Sequence, residues 1–270
     1  MIENGYKPEL KEALRSLRLP VFASEHSALS AMAANESRMF DRFLLELCRL
    51  ELSQREQQHR RQKLLTASRL PREKTLLTFE RKRLKRSADQ QFAALLTGEF
   101  LERSENVLVF VPPGSGKTHL LCALGHELVN QGKSVLFSQC VLPVQRLLLA
   151  KNELWLEREL KRLDKFEALI IDDPGYVRQS REEMEVLFTP LAHRYERRSV
   201  LLTSNPVFSE WERIFKDPLT AAAAIDRLVH HSVIVELNLP SYRMEAAKKQ
   251  QSKNGSENEQ IAVTAGMVKK

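Results

Sequence analysis

The segment of residues 111–118, V-P-P-G-S-G-K-T, constrains the fold most, because it separates an apolar run from an amphipathic run. Residues 106–110 have the apolar character of a buried strand, and residues 119–130 carry apolar side chains at helical spacing. A glycine-rich loop between a strand and a helix is typical of phosphate binding, in which successive backbone N–H groups surround the phosphate oxygens. The segment therefore predicts a nucleotide site at the start of the helix.

The composition excludes two classes of protein. The chain has 270 residues but only three cysteines, and none forms a C-x-x-C pair, so neither a disulfide framework nor a zinc site is indicated. The N-terminus has no basic start followed by an apolar core, and no later apolar run approaches the roughly 18 residues of a membrane span. We therefore expect a cytoplasmic protein with no membrane partner.

The positive charge is concentrated in one N-terminal segment. Residues 55–86 contain 12 Lys/Arg against three acidic residues, a local excess of +9, whereas the whole chain carries +7. Such asymmetry favours a polyanionic partner, because each phosphate neutralised by Lys or Arg releases condensed counterions. A solvated helix face that only keeps the protein soluble is the alternative. Charge density peaks at Arg81, Lys82, Arg83, Lys85 and Arg86, and we predict that these residues contact the phosphates of such a partner.

The pattern of apolar residues changes near residue 100. Before it, the spacing predicts helices: a short one ending before Pro20, and a long amphipathic helix or helical pair over residues 37–65. After it, strands alternate with helices, and the predicted strands are 106–110, 134–138, 166–171, 199–203 and 232–237. This alternation predicts an α/β fold with a parallel sheet covered on both faces. The expected divisions are a helical basic domain (1–95), a nucleotide-binding domain (96–247) and a disordered polar tail (248–270).

Two adjacent carboxylates strengthen the nucleotide interpretation. Asp172 and Asp173 end a predicted buried strand about 55 residues after Lys117. In nucleotide hydrolases a first carboxylate at such a strand end lies near Mg²⁺, and a second can orient the attacking water. Thr118 would supply a hydroxyl ligand to the same ion. Without the upstream loop, an Asp pair in a turn would be the simpler interpretation.

Three further polar residues are candidates for contact with the nucleotide. Asn205 follows a predicted strand, at the edge where ligands bind in open α/β sheets, although Ser-Asn-Pro is also an ordinary turn. Arg227 is placed on a predicted helix and could reach the γ-phosphate of a neighbouring subunit; a surface charge pair with Asp226 is the alternative. Arg243 is a weaker candidate within its own subunit. The histidine pair His230-His231 is not predicted to bind metal, because no carboxylate or cysteine accompanies it at ligand spacing.

The order of six motifs resembles one known family. The motifs are P-P-G-S-G-K-T-H-L, L-I-I-D-D-x-G-Y, R-R-S-V-L-L-T-S-N, F-S-E-W, D-R-L-x-H-H-S and S-Y-R. Together they resemble the IstB-type ATPases, which are AAA+ helper proteins of two-component insertion sequences and are similar to the helicase loader DnaC. The resemblance extends over about residues 10–247 and includes the helical N-terminal part.

The resemblance implies an AAA+ P-loop domain with a central parallel sheet flanked by helices, preceded by a small all-α domain. It implies ATP and Mg²⁺ as cofactors, assembly into a homo-oligomeric ring or spiral on double-stranded DNA, and assistance to a partner transposase of the IstA type. By motif position, Asp173, Asn205 and Arg227 would be catalytic, and Thr118 and Asp172 would hold the metal. The implied nucleotide contacts are Pro113, Gly114, Ser115, Gly116, Lys117, Thr118, His119 and Arg243.

Departures from the family pattern shape one expectation about rate. Val111 stands where the loop pattern has its first glycine, Pro174 follows the acid pair, and Asp173 is one methylene shorter than the glutamate common in AAA+ enzymes. A displacement of about 1 Å in the attacking water can cost about a hundredfold in rate, so we expect slow hydrolysis. Two alternatives remain open: a helicase loader similar to DnaC, and a nucleotide-gated DNA-binding protein without turnover.

Overall fold

The computed structural model describes residues 6–36, 39–110, 114–139, 141–172, 181–204 and 226–236. The chain divides into two compact units, Met1–Lys63 and Leu64–Lys270. Among the described residues, no helix combines the length and the apolarity that crossing a membrane needs.

The first unit is built from helices. Helix α1 is Tyr6–Ser16, α2 is Pro20–Asn35 and α3 is Phe40–Ser68, which continues into the second unit. The turn between α1 and α2 places Arg18 at φ 56°. Pro20 then begins α2, a position where its missing N–H costs nothing. The predicted short first helix is confirmed, and the predicted amphipathic stretch is one continuous helix.

A buried glutamate holds the first unit together. Glu51 of α3 is buried, and its Oε2 accepts a hydrogen bond from the backbone N–H of Val21 at 3.0 Å. Its Oε1 accepts from Arg55 Nε at 2.8 Å. A carboxylate beside the first N–H groups of α2 satisfies one of them and complements the helix dipole.

The second unit contains the sheet. Its strands are β1 (Asn106–Phe110), β2 (Val135–Gln139), β3 (Ala168–Asp172), β4 (Ser199–Ser204) and β5 (Ser232–Glu236). Its helices are α4 (Arg86–Leu95), α5 (Lys117–Asn130), α6 (Val141–Asn152), α7 (Leu156–Leu163) and α8 (Arg181–Arg194), with short 3-10 turns at Arg81–Arg83 and Glu99–Leu101. Residues 226–230 are helical. The predicted strands are confirmed to within one or two residues at each end.

All five strands are parallel, in the order β2-β3-β4-β1-β5. Side chains alternate between two cores, because successive residues of a strand point to opposite faces. Val107, Val109 and Ile170 belong to the core that α5 covers, whereas Leu108, Leu169 and Leu202 belong to the core on the opposite face. The predicted parallel sheet covered on both faces is therefore confirmed.

Residues 64–95 pack within the second unit. Leu70, Leu84 and Phe92 are buried in the same core as the residues of α5 and β1. Gly125 of α5 allows this close approach, since a Cβ at that position would lie 3.0 Å from Leu70 Cδ2. The compact unit thus begins at Leu64, earlier than the predicted division at residue 95, because the helices before β1 complete the core.

A buried arginine fixes the backbone that leads into β3. Arg194 at the end of α8 is 1 % exposed and donates to the carbonyl oxygens of Leu163, Phe166 and Ser199 at 2.9, 2.9 and 3.2 Å. Burial lowers the pKa of the guanidinium to about 10. It remains protonated at neutral pH and ties α7, β3 and β4 together at the amino edge of the sheet.

Candidate phosphate-binding site

The phosphate loop and helix α5 have the backbone geometry that anion binding requires. Gly114 has φ 83° and Gly116 has φ 98°, in the left-handed region where a side chain is strained. A Cβ at Gly116 would meet nothing within 4 Å, so conformation rather than space requires glycine there. Helix α5 begins immediately afterwards at Lys117. Its free N–H groups and its dipole favour a negatively charged ligand at this end.

Lys117 and Ser115 are the polar residues of the loop that the structure buries. Lys117 is 7 % exposed and Ser115 is 3 % exposed. An ammonium group so largely withdrawn from water is costly unless anionic groups compensate it. Its position at the first turn of α5 places this charge beside the same helix N-terminus that favours an anion.

Asp172 lies at the centre of a hydroxyl cluster beside the loop. Thr118 Oγ1 donates to Asp172 Oδ1 and Oδ2 at 2.9 and 3.0 Å. Thr203 Oγ1 donates to Asp172 Oδ1 at 2.6 Å from the neighbouring strand. The register explains the contact, because Asp172 of β3 is paired with Thr203 of β4. The structure thus brings together the two residues predicted to hold the metal.

The donor atoms at this position suit Mg²⁺. A threonine hydroxyl and an aspartate carboxylate are hard oxygen ligands, the kind that Mg²⁺ prefers. Thr118 lies in the first turn of α5 and Asp172 is the last residue of β3, so an ion held between them would lie beside phosphates bound at the loop. Thr118 and Asp172 therefore fit the expected role of metal-holding residues.

Thr203 is a site residue that the sequence analysis missed. It is fully buried, at 0 % exposed, and its side chain faces the carboxylate rather than solvent. The sequence has a Thr-Ser-Asn triplet at the end of a predicted strand, and Asn205 is its most polar member. Alignment of the predicted strands could have identified Thr203, because the last residues of adjacent parallel strands lie side by side.

His119 turns its imidazole toward the segment before α4. Its Nε2 lies 3.2 Å from the carbonyl oxygen of Thr75 and 3.1 Å from Thr78 Oγ1, and the ring packs edge-on against Phe79 with centroids 5.4 Å apart. Burial lowers the pKa of His119, which favours the neutral imidazole. The imidazole thus connects residues 75–79 to the start of α5, and a role in nucleotide contact stays a prediction.

Arg227 lies near the amino end of β1, whereas the phosphate loop follows the carboxyl end of this strand. It is exposed on the helical segment 226–230, and within the described residues it pairs with no carboxylate, Asp226 included. Asn106 Nδ2 donates to the carbonyl oxygen of Leu228 at 3.2 Å, which fixes the segment at the amino end of β1. The phosphate loop follows the other end of that strand.

The predicted DNA contacts divide into two groups. Arg81 forms an ion pair with Asp89 of α4 and is half-buried, as is Arg83. Lys82, Lys85 and Arg86 are exposed. A paired guanidinium is less available to a phosphate, so the three exposed residues are the better candidates.

A second basic surface lies between α6 and α7. A cavity of about 860 Å³ is lined by Trp155 and by the basic residues Arg146, Arg158, Lys161, Arg162 and Lys165. Glu159 is buried beneath it and accepts from Arg146 and Arg162 at 2.7 and 2.6 Å. Burial acts to raise the pKa of Glu159, but the two guanidinium groups outweigh it and the pKa is lowered.

Several predicted site residues lie outside the described residues. They are Pro113, Asp173, Asn205 and Arg243. Their predicted roles stay predictions. Val111 and Pro174, which depart from the family pattern, lie outside the described residues too. The polar tail, residues 248–270, lies outside as well.

The sheet order, the loop before α5 and the Thr118–Asp172 pair define a P-loop nucleotide-binding protein with the AAA+ fold. The chain matches the family of IstB-like ATP binding proteins over residues 12–252. Since this match spans most of the chain, the protein belongs to that family.

Relatives and solved structures agree with this assignment. The chain is 41 % identical to a putative insertion sequence ATP-binding protein of Sinorhizobium fredii over 87 % of this chain and 78 % of the relative. It is 36 % identical to the putative ATP-binding protein of insertion sequence IS5376 of Geobacillus stearothermophilus, over 92 % of this chain and 98 % of the relative. It is 37 % identical to that of insertion sequence IS21 of Pseudomonas aeruginosa, over 89 % and 91 %.

Two solved structures resemble this one in fold. The DnaI structure superposes with a TM-score of 0.53 at 19 % identity and covers 63 % of this chain and 95 % of its own. The replication initiator DnaA, bound to AMPPCP and single-stranded DNA, gives a TM-score of 0.54 at 20 % identity and covers 68 % and 56 %. At this level of identity the likeness concerns the fold alone.

Proposed function

We propose that this protein is an ATP-hydrolysing, DNA-binding helper of transposition. The observation that carries the proposal is the cluster of Thr118, Asp172 and Thr203 directly beside a phosphate loop. The relatives' names supply the biological setting, since they are ATP-binding proteins of insertion sequences. In this setting the partner is a transposase of the IstA type, and the DNA is a double-stranded target.

The site residues divide the work of binding. Backbone N–H groups of the loop, from Gly114 to Gly116, bind the phosphates, and Lys117 neutralises their charge. Thr118 and Asp172 hold Mg²⁺, which when bound neutralises the charge that develops on the transferred phosphoryl group. Thr203 keeps the carboxylate of Asp172 in position through its 2.6 Å hydrogen bond.

Hydrolysis requires a water placed in line with the γ-phosphorus. Asp173 orients this water and accepts its proton, the new P–O bond forms, and the bond to the β-phosphate oxygen breaks so that ADP leaves. Asn205 contacts the γ-phosphate or the water, and Arg227 of a neighbouring subunit stabilises the transition state. Turnover is slow, because the short side chain of Asp173 holds the water less closely.

The proposal is tested by ATP hydrolysis of the full chain with and without duplex DNA. We expect slow turnover that duplex DNA or the transposase increases, and loss of turnover in Asp173→Ala with ATP binding retained. Lys117→Ala is the control that loses nucleotide binding itself.

Three results would favour other interpretations. Equal, negligible turnover in the wild type and Asp173→Ala, with DNA binding still dependent on ATP, would identify a passive nucleotide-gated binder. Rapid hydrolysis without DNA or partner would contradict slow, coupled turnover. Stimulation by single-stranded DNA and a replicative helicase, with no effect on insertion by the transposase, would identify a helicase loader.

A further inference from the structure

Two histidines and a glutamate from distant parts of the chain lie close together near the amino ends of strands β4 and β5. Glu196 follows α8, His230 ends the helical segment 226–230, and His231 is the next residue. One ligand atom from each of the three lies within 4.8 Å of the other two. His231 Nε2 is 3.3 Å from Glu196 Oε1, and the two imidazole rings are 4.4 Å apart at 85°.

The fold supplies a carboxylate that the sequence beside the histidine pair lacks. No Asp, Glu or Cys directly adjoins His230 and His231 in the chain. Folding supplies the carboxylate of Glu196, since the end of α8 and the turn before β5 lie at the same edge of the sheet.

A fourth residue orients one of the histidines. His230 Nδ1 lies 3.0 Å from the hydroxyl oxygen of Tyr195. Histidines that bind metals almost always use their second ring nitrogen in such a hydrogen bond, which fixes the ring and its tautomer. With Nδ1 engaged, Nε2 of His230 is the nitrogen available to an ion.

We propose that Glu196, His230 and His231 form a zinc-binding site. Two imidazole nitrogens and one carboxylate are a ligand set of the kind that binds zinc with a fourth position open to water. Bonds of about 2.0–2.1 Å in tetrahedral geometry separate neighbouring ligand atoms by about 3.3 Å. The His231–Glu196 distance already has this value, and all three side chains are exposed, so an ion can reach them.

The two cysteines that the structure describes, Cys48 and Cys122, are poorer candidates for this zinc site. A thiol must lose its proton to bind zinc, and burial raises the pKa of Cys122 to about 12. Cys48 lies in the first unit, which contributes no residue to the cluster.

Zinc at this position would link two parts of the second unit. The turn that carries the histidines is attached to β1, because Asn106 N donates to the carbonyl oxygen of His231 at 2.7 Å. Glu196 belongs to the connection between α8 and β4. The bound ion therefore restrains the helical segment that presents Arg227. The site itself does not depend on the proposed ATPase function, since its ligands lie at the amino ends of β4 and β5 and none of them contacts loop residues 114–116.

The test is zinc titration of the full chain against a chromogenic chelator, with Co²⁺ as a spectroscopic probe. We expect one ion per chain and the intense visible bands of tetrahedral Co²⁺ with nitrogen and oxygen ligands. His231→Ala and Glu196→Gln should abolish this binding, and Tyr195→Phe should weaken it about tenfold by releasing His230. His59→Ala, at an exposed histidine outside the cluster, should leave the affinity unchanged.

Glu196→Gln keeps the shape of an exposed side chain, so it decides the question even if a histidine variant folds poorly. Unchanged zinc affinity in this variant, a strong thiolate charge-transfer band with Co²⁺, or the absence of zinc binding in the wild type would each overturn the proposal. Added zinc should also raise the melting temperature of the wild type but not of Glu196→Gln, because ligand binding stabilises only the folded state that forms the site.

Discussion

Single hydroxyl groups decide how well the Asp172 carboxylate is placed. Thr118 and Thr203 both donate to it, and they approach from the loop helix and from the adjacent strand. When Mg²⁺ binds, Thr118 is expected to turn to the ion, whereas Thr203 is fully buried on the neighbouring strand and donates to Asp172 from the side of the sheet. Thr203 is therefore a positioning residue, and its effect acts through Asp172.

Thr203→Val should raise the Mg²⁺ concentration needed for half-maximal ATP hydrolysis by about 10- to 100-fold, since partners that orient metal-binding carboxylates have effects of this size. Valine fills the same volume, so the fold should persist. Thr203→Ser retains the hydroxyl and should restore most of the Mg²⁺ affinity. A Mg²⁺ titration of the hydrolysis rate checks this. An unchanged Mg²⁺ dependence in Thr203→Val would show that Asp172 is held by other contacts.

The sequence could predict Thr118 and Asp172 because they belong to motifs with fixed spacing and fixed structural context. Thr203 belongs to no such motif, and its role depends on the pairing of β3 with β4, which joins residues far apart in the chain. The same reason applies to Glu196, which has no signal of its own until the fold brings it to His231.

At the scale of elements, the sequence predicts the sheet well because strand periodicity is local. It could not predict what the helices before β1 pack against, since an amphipathic face does not identify its partner. His126 Nε2 lies 3.0 Å from the carbonyl oxygen of Pro71, and Leu70 approaches Gly125, so this segment is part of the nucleotide-binding unit. Binding of ATP and binding of DNA by residues 81–86 would thus involve one compact unit.

The short turn Arg81–Arg83 and the start of α4 present three exposed charges, those of Lys82, Lys85 and Arg86. Replacing all three by alanine should weaken binding to duplex DNA and reduce the slope of log K against log salt by up to about 2.7, or about 0.9 per lost phosphate contact. Arg81 is left intact, because its pairing with Asp89 supports α4. The measurement is fluorescence anisotropy with labelled duplex at several salt concentrations.

The matched control removes the same charge from the α6–α7 surface, with Arg158, Lys161 and Lys165 replaced by alanine. We expect its salt slope to equal that of the wild type. A reduced slope in this control, together with an unchanged slope in the first variant, would place the DNA on the α6–α7 surface instead.

For the whole molecule, the position of Arg227 supports the proposal that this arginine acts on the nucleotide of a neighbouring subunit. The carbonyl oxygen of Leu228 accepts a hydrogen bond from the Asn106 side chain at the amino end of β1. The loop begins beyond Phe110, at the carboxyl end of the same strand. Five strand residues span about 13 Å, so a γ-phosphate bound at the loop of the same chain would lie beyond the reach of the Arg227 side chain. An exposed arginine on this edge is instead available to the loop of a neighbouring subunit, as head-to-tail assembly would provide.

Arg227→Ala should therefore reduce ATP hydrolysis about 10³-fold while ATP binding is retained, since an arginine supplied in trans contributes at least this much. Asp173→Ala should be inactive for a different reason, because it lacks the residue that orients the water. Mixing the two variants should restore activity, to about a quarter of the wild-type rate if subunits pair at random. In the productive interface, the Asp173→Ala subunit donates Arg227 to an Arg227→Ala subunit whose Asp173 is intact.

Arg198→Ala, at an exposed arginine after α8, serves as the control and should hydrolyse ATP like the wild type. Arg227→Ala with normal activity, or a mixture no more active than its components, would mean that Arg227 does not act between subunits.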